Sequence, residues 1–121
     1  MTVEADLVTV LRTMVASVYP DVAPLAATYP YATYQGIGGQ SWRYLENTAA
    51  NKRDSLFQVN VWAATRAEAL VLIRALEEAL CATPLFNATP YAGEPRWMSD
   101  EVAPERLVYG CSQDFEIVST R

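Results

Sequence analysis

The chain has 121 residues, 51% hydrophobic and 19% charged, with a formal net charge of −5 and no histidine. That length suits a single domain over residues 1–121, able to build a core without a disulfide or metal staple. The missing histidine excludes Ser-His-Asp triads, Cys-His dyads and His-ligated zinc. The acidic balance argues against a nucleic-acid partner, because neutralising phosphates takes clustered Lys and Arg.

In chain order, Leu7, Val10, Leu11, Met14 and Val18 recur at helical spacing and predict a helix over residues 3–18. Thr2 can cap it, Glu4 and Asp6 sit at its positive end, and Pro20 stops it. Acid at this terminus is unlike a signal peptide, which begins with base. The long uncharged run Val22 to Trp42 is broken by Pro24, Pro30, Gly36, Gly38 and Gly39, so it predicts no membrane span. Cytoplasmic folding is expected.

Asp21 to Thr28 reads as a connector and Tyr29 to Gln35 as a strand, with Pro30 near its start or on an edge. Gly36-Ile37-Gly38-Gly39 reads as a turn or flexible loop, and neither a dinucleotide fingerprint nor a P-loop follows it. Ser41 to Leu45 suggests a short strand with Trp42 and Tyr44 on one face. Glu46 to Asp54, with Asn51, Lys52 and Arg53, reads as a polar exposed loop.

Ser55 to Ala63 is the clearest strand. Phe57, Val59, Val61 and Ala63 form an apolar face, and Leu56, Gln58, Asn60 and Trp62 a mixed one. Thr65-Arg66-Ala67-Glu68 is a capping box opening a helix to about Ala82. Ala69, Leu70, Ile73, Leu76, Ala79 and Leu80 form its core stripe. Arg66, Arg74, Glu77 and Glu78 fall on the wet side, with Arg74 and Glu78 spaced to pair. Thr83-Pro84 ends it.

Leu85 to Pro95 reads as irregular, Arg96 to Met98 as a short strand, and Ser99 to Glu105 as an acidic solvated loop without the spacing of a calcium loop. Arg106 to Ser119 reads as the last strand. Leu107, Tyr109, Cys111, Phe115 and Ile117 share one parity there, and Gly110 marks a bend or bulge. Cys81 and Cys111 lie outside any C-x-x-C pair and read as buried thiols acting as small hydrophobes. The expected fold is α+β: two helices packed on one face of a four- to five-stranded antiparallel sheet.

The strand and helix start Phe57-Gln58-Val59-Asn60-Val61-Trp62-Ala63-Ala64-Thr65-Arg66-Ala67-Glu68-Ala69 resemble the core of the tail-completion proteins of tailed bacteriophages and prophages. That family has a V-Q-V-D-V-W/Y-A strand, then T-x-x-E-A, then a helix; Asn60 stands here where Asp is common. The leading helix, the strand Pro30-Tyr31-Ala32-Thr33-Tyr34 and the ending Gln113-Asp114-Phe115-Glu116-Ile117 follow the family's order. The resemblance implies a virion structural protein, a tail terminator or head–tail joining protein, often a six-membered ring. It implies tail-tube and head–tail connector proteins as partners, with no catalytic residues, cofactor or metal. It places the protein in the host cytoplasm during assembly and afterwards in the virion at the head–tail junction.

A ring needs apolar surface outside the core. Trp42, Leu56, Trp62 and Val71 are the candidate subunit interface, or else they fill the edge of the core. Gly36, Gly38, Gly39, Asn51, Lys52 and Arg53 are candidate assembly-loop residues. A different class of function is a small ligand-binding or enzyme module, with Tyr31, Tyr34, Trp42, Tyr44 and Trp62 around a pocket and Asp54, Asp114, Glu116 and Arg106 as its charged groups. A third is a bacterial interaction module of the same α+β shape, unrelated to phage.

Overall fold

The computed structural model of the chain describes residues 3–21, 23, 29–43, 49–103 and 106–120. Thr2, most of the Asp21 to Thr28 connector, and Tyr44 to Thr48 lie outside them. Two helices and a mixed, mostly antiparallel sheet make up the fold.

Helix α1 runs Val3–Leu11 and buries Leu7, Val10 and Leu11. It is shorter than the apolar spacing suggests. Thr13 and Met14 donate their amides to carbonyls three residues back, on Val10 and Leu11, and the Thr13 hydroxyl donates to the Val10 carbonyl at 2.6 Å. These tight bonds close the last turn and leave Met14 on the surface. Val18, read as the end of the helical stripe, instead begins strand β1 (Val18–Pro20). Strand β1 pairs in parallel with β2 (Tyr31–Arg43), aligning Val18 with Ala32. The sheet is therefore mixed rather than wholly antiparallel.

Strand β2 and strand β3 (Ala49–Ala63) form a long antiparallel ribbon. Gly36 to Gly39 belong to it, as do Ala49 to Asp54, so neither segment is the loop expected of it. Gly38 aligns with Leu56, Gly39 with Ser55, Gln40 with Asp54 and Ser41 with Arg53. The glycines take up a register shift between Gly36 and Gly38 rather than ending the strand, and Gly38 has φ 139°, which L side chains rarely adopt. Lys52 and Arg53 are also paired on the other side of β3, with Thr120 and Ser119.

Thr65 caps α2 (Arg66–Ala82), its hydroxyl accepting the Glu68 amide at 3.2 Å. Strand β4 (Asn87–Ala103) replaces the irregular stretch, short strand and acidic loop read from the sequence. It pairs antiparallel with β5 (Arg106–Thr120), shifting register between Tyr91 and Arg96 and between Glu101 and Ala103. Its prolines and glycine are accommodated because β4 is a sheet edge and needs only one hydrogen-bonded side. The five-stranded sheet has the order β1-β2-β3-β5-β4.

Register and parity give one core. Phe57, Val59, Val61 and Ala63 of β3 align with Phe115, Gln113, Cys111 and Tyr109 of β5. All of these except Tyr109 are buried. Ala32 from β2, Leu7, Val10 and Leu11 from α1, and Ala69, Ile73, Leu76 and Leu80 from α2 join the same cluster. Both helices therefore cover one face of the sheet. No described helix is long and apolar enough to cross a membrane.

Candidate functional site

The helix-free face has a layout set by register. One row runs Tyr31, Trp62, Gly110 and Met98 across β2, β3, β5 and β4; the next runs Thr33, Asn60, Ser112 and Arg96. The second row is hydrogen-bonded at both ends. Asn60 Nδ2 donates to Thr33 Oγ1 at 3.2 Å, and Arg96 Nη2 donates to Ser112 Oγ at 2.9 Å. The Arg96 guanidinium also grips Asp114 through both carboxylate oxygens, at 3.0 and 3.3 Å. Thr33 and Ser112 are buried, although no helix covers them. Asn60 and Arg96 reach them from the neighbouring strands.

Trp62 covers Gly110 on the same face. Its indole lies against Gly110, where a Cβ would come within 2.8 Å of Trp62 Cε3. Gly110 thus gives room for a ring, and the pairing of β3 with β5 runs through it with no bulge. Leu56 is half-buried on the same face, aligned with Glu116. Val71 is elsewhere: it is 68% exposed on the outer surface of α2. Trp42 has its backbone in β2, and its side chain lies outside the described residues. The candidate interface residues therefore occupy at least two distinct surfaces. Among the candidate assembly-loop residues, all six are strand residues, as described above.

Sequence reading missed Trp97. It is 65% exposed on β4 and belongs to the helix side of the sheet, aligned with Cys111. The Arg66 guanidinium lies 4.8 Å from its ring centre and 5.1 Å from that of Tyr109. Arg66 is thus half-buried against two rings rather than solvated on the wet side of α2, and its Nη1 is shielded from solvent with no hydrogen-bond acceptor among the described residues. The signal available beforehand was the pairing parity of Trp97 with Cys111, concealed because β4 does not look like a continuous strand. Met14, Ile37 and Leu85 are the other large exposed apolar side chains among the described residues.

Among the described residues, the proposed pocket residues do not all share one face. Tyr31 aligns with Trp62 on the helix-free face, whereas Tyr34 aligns with Val59 and packs against the core. Tyr44 lies outside the described residues. Asp114 is bound by Arg96, and the backbone of Asp54 aligns with Val118. Among the described residues, no group of three or more acidic or thiol side chains is placed to hold a metal. Arg74 and Glu78 form no ion pair; the one among the described residues is Arg96–Asp114.

Both cysteines are free. Cys111 is buried as expected, but Cys81 is exposed near the end of α2. Partial desolvation, then the nearby Glu77, push the Cys81 thiol above its ordinary range. Burial raises the Cys111 thiol, partly offset by the positive charges of Arg66 and Arg74.

Curated proteins give no match to the chain. The sequence model of tail completion protein gp17 matches residues 4–120, from the second residue of α1 to the end of β5. The family is structural rather than catalytic. The chain belongs to the tail completion protein gp17 family, which implies a structural role in phage tail assembly.

Proposed function

We propose that the protein completes the tail, or joins it to the head, by closing into a homo-oligomeric ring, a hexamer in the first instance. It would assemble in the host cytoplasm and remain in the virion at the head–tail junction, between tail-tube and head–tail connector proteins. The observation that carries the reading is the family match over nearly the whole chain. The distribution of apolar surface supports it. A ring is built from heterologous contacts, in which two different patches of the same chain meet. Val71 on α2 and the Leu56–Trp62 face of the sheet are two such patches on different surfaces. Trp42, whose backbone lies at the far end of the β2–β3 ribbon, is a further candidate contact position. Gly36, Gly38, Gly39, Asn51, Lys52 and Arg53 would act as strand residues of the β2–β3 ribbon rather than as loops.

Removing the gene from the phage or prophage tests this. The expected result is a lysate of filled heads and unattached tails, restored to joined particles by adding purified protein. Overlong tails would select the terminator role, and tails of normal length the joining role. Intact infectious particles without the protein would overturn the reading.

A further inference from the structure

We infer that Arg66 and Arg74 of α2, with Trp97 of β4, form a basic aromatic docking surface for the acidic surface of a second copy of this chain. The inference rests on the ring reading and names one side of the contact.

Arg66, Leu70 and Arg74 are four residues apart and so lie in one row along α2, basic over its first half before Glu77 and Glu78 follow on the same side. Arg66 stacks on Trp97 and Tyr109, which fixes that row beside the β4 edge of the sheet. Both arginines act on the Cys111 thiol beneath, in agreement with this placement. Val71, 68% exposed, adjoins the row, and Trp97 is 65% exposed beside it. Arginine and tryptophan are the side chains that most often anchor protein contacts. Arg96 is already committed to Asp114, whereas Arg74 is exposed and forms no ion pair among the described residues.

Charge selects the occupant. The chain carries 14 acidic residues against 9 basic ones, so a second copy offers mainly carboxylates. Copies of net charge −5 repel one another unless a local basic surface on one meets acid on the next. The same net charge repels duplex DNA, and two arginines neutralise few phosphates.

The test compares the wild type with Arg66→Glu/Arg74→Glu, Arg74→Glu and Trp97→Ser by sedimentation velocity, alone, with tail-tube protein and with the head–tail connector. Circular dichroism checks the fold; Arg74 and Trp97 are exposed, so their single variants report if the double variant unfolds. The expected result is a wild-type ring that weakens as salt is raised, and a loss of at least about tenfold in assembly affinity for each variant. Rings of unchanged affinity in the folded variants would overturn this surface while leaving the ring reading intact. A wild type that stays monomeric alone, with tail-tube protein and with the head–tail connector would overturn both. Duplex DNA bound by the wild type and lost by the arginine variants, with assembly unchanged, would assign the surface to DNA and overturn the inference.

Discussion

Trp62 and Gly110 face each other across β3 and β5, and the indole occupies the space that a side chain at position 110 would need. The half-buried state of Trp62 follows from that contact, so this tryptophan is held by its own sheet before any subunit meets it. Gly110→Ala places a Cβ 2.8 Å from Trp62 Cε3 and 3.0 Å from the Val61 carbonyl oxygen. The expected cost is about 1–3 kcal/mol of overpacking, read from the urea midpoint. Trp62→Ala in the same chain should recover part of it, since residues in contact do not act additively. Equal stability of Gly110→Ala and wild type would contradict the packing.

The start of α2 depends on one side chain. Thr65 accepts the Glu68 amide, and Thr65→Ala leaves that amide without its protein acceptor. A loss of about 1 kcal/mol is expected, with Thr65→Ser close to wild type in thermal unfolding.

Arg96 ties the β4 edge to β5 through Asp114 and Ser112. Its side chain is 54% exposed, so solvent screening limits the ion pair to about 0.2–1 kcal/mol despite its two-pronged geometry. Asp114→Asn should therefore cost little globally. It should instead speed amide exchange along β4, read by hydrogen–deuterium exchange, because an edge strand opens before the core. Unchanged exchange along β4 in Asp114→Asn would contradict that role.

The two thiols should separate on labelling. In the native protein one iodoacetamide adduct is expected, on Cys81, and a second on Cys111 only after unfolding. Cys81 should react slowly near neutral pH and still be accelerating above about pH 8.5, since its thiolate forms late. Cys111 adds a stability effect. Its folded thiol ionises at higher pH than the unfolded one, so the folded state holds the proton more tightly. That contribution is complete below the unfolded value and is lost as pH rises through the folded one. Cys111→Ala should therefore show a smaller fall in urea midpoint between neutral and alkaline pH than wild type.

The parts of the fold visible in the sequence are those where burial imposes a period. Phe57 to Ala63 alternate because one face meets the helices, and Ala69 to Leu80 recur because one stripe does. Cys111, Phe115 and Ile117 keep the same discipline. The other elements carry no such constraint. Strand β1 has three residues, too few for a pattern. Strand β4 lies at an edge, where Pro90 and Pro95 cost no central hydrogen bonds, so its composition looks like a loop. The glycines of β2 absorb a register shift, which is not distinguishable from a turn by residue type alone. The candidate surface was partly legible. Val71 stood out because it is apolar on the wrong side of a helix. Trp97 and Arg66 did not, because their meeting depends on pairing β4 with β5.

The central claim is that this chain works by closing into a ring on the tail. Its most direct test is the mass of the protein in solution, measured alone and after mixing with tail-tube protein and with the head–tail connector. The account predicts a discrete closed oligomer, six copies in the first instance, formed alone or on the partner. A protein that remains a monomer and binds neither partner at any concentration would contradict it.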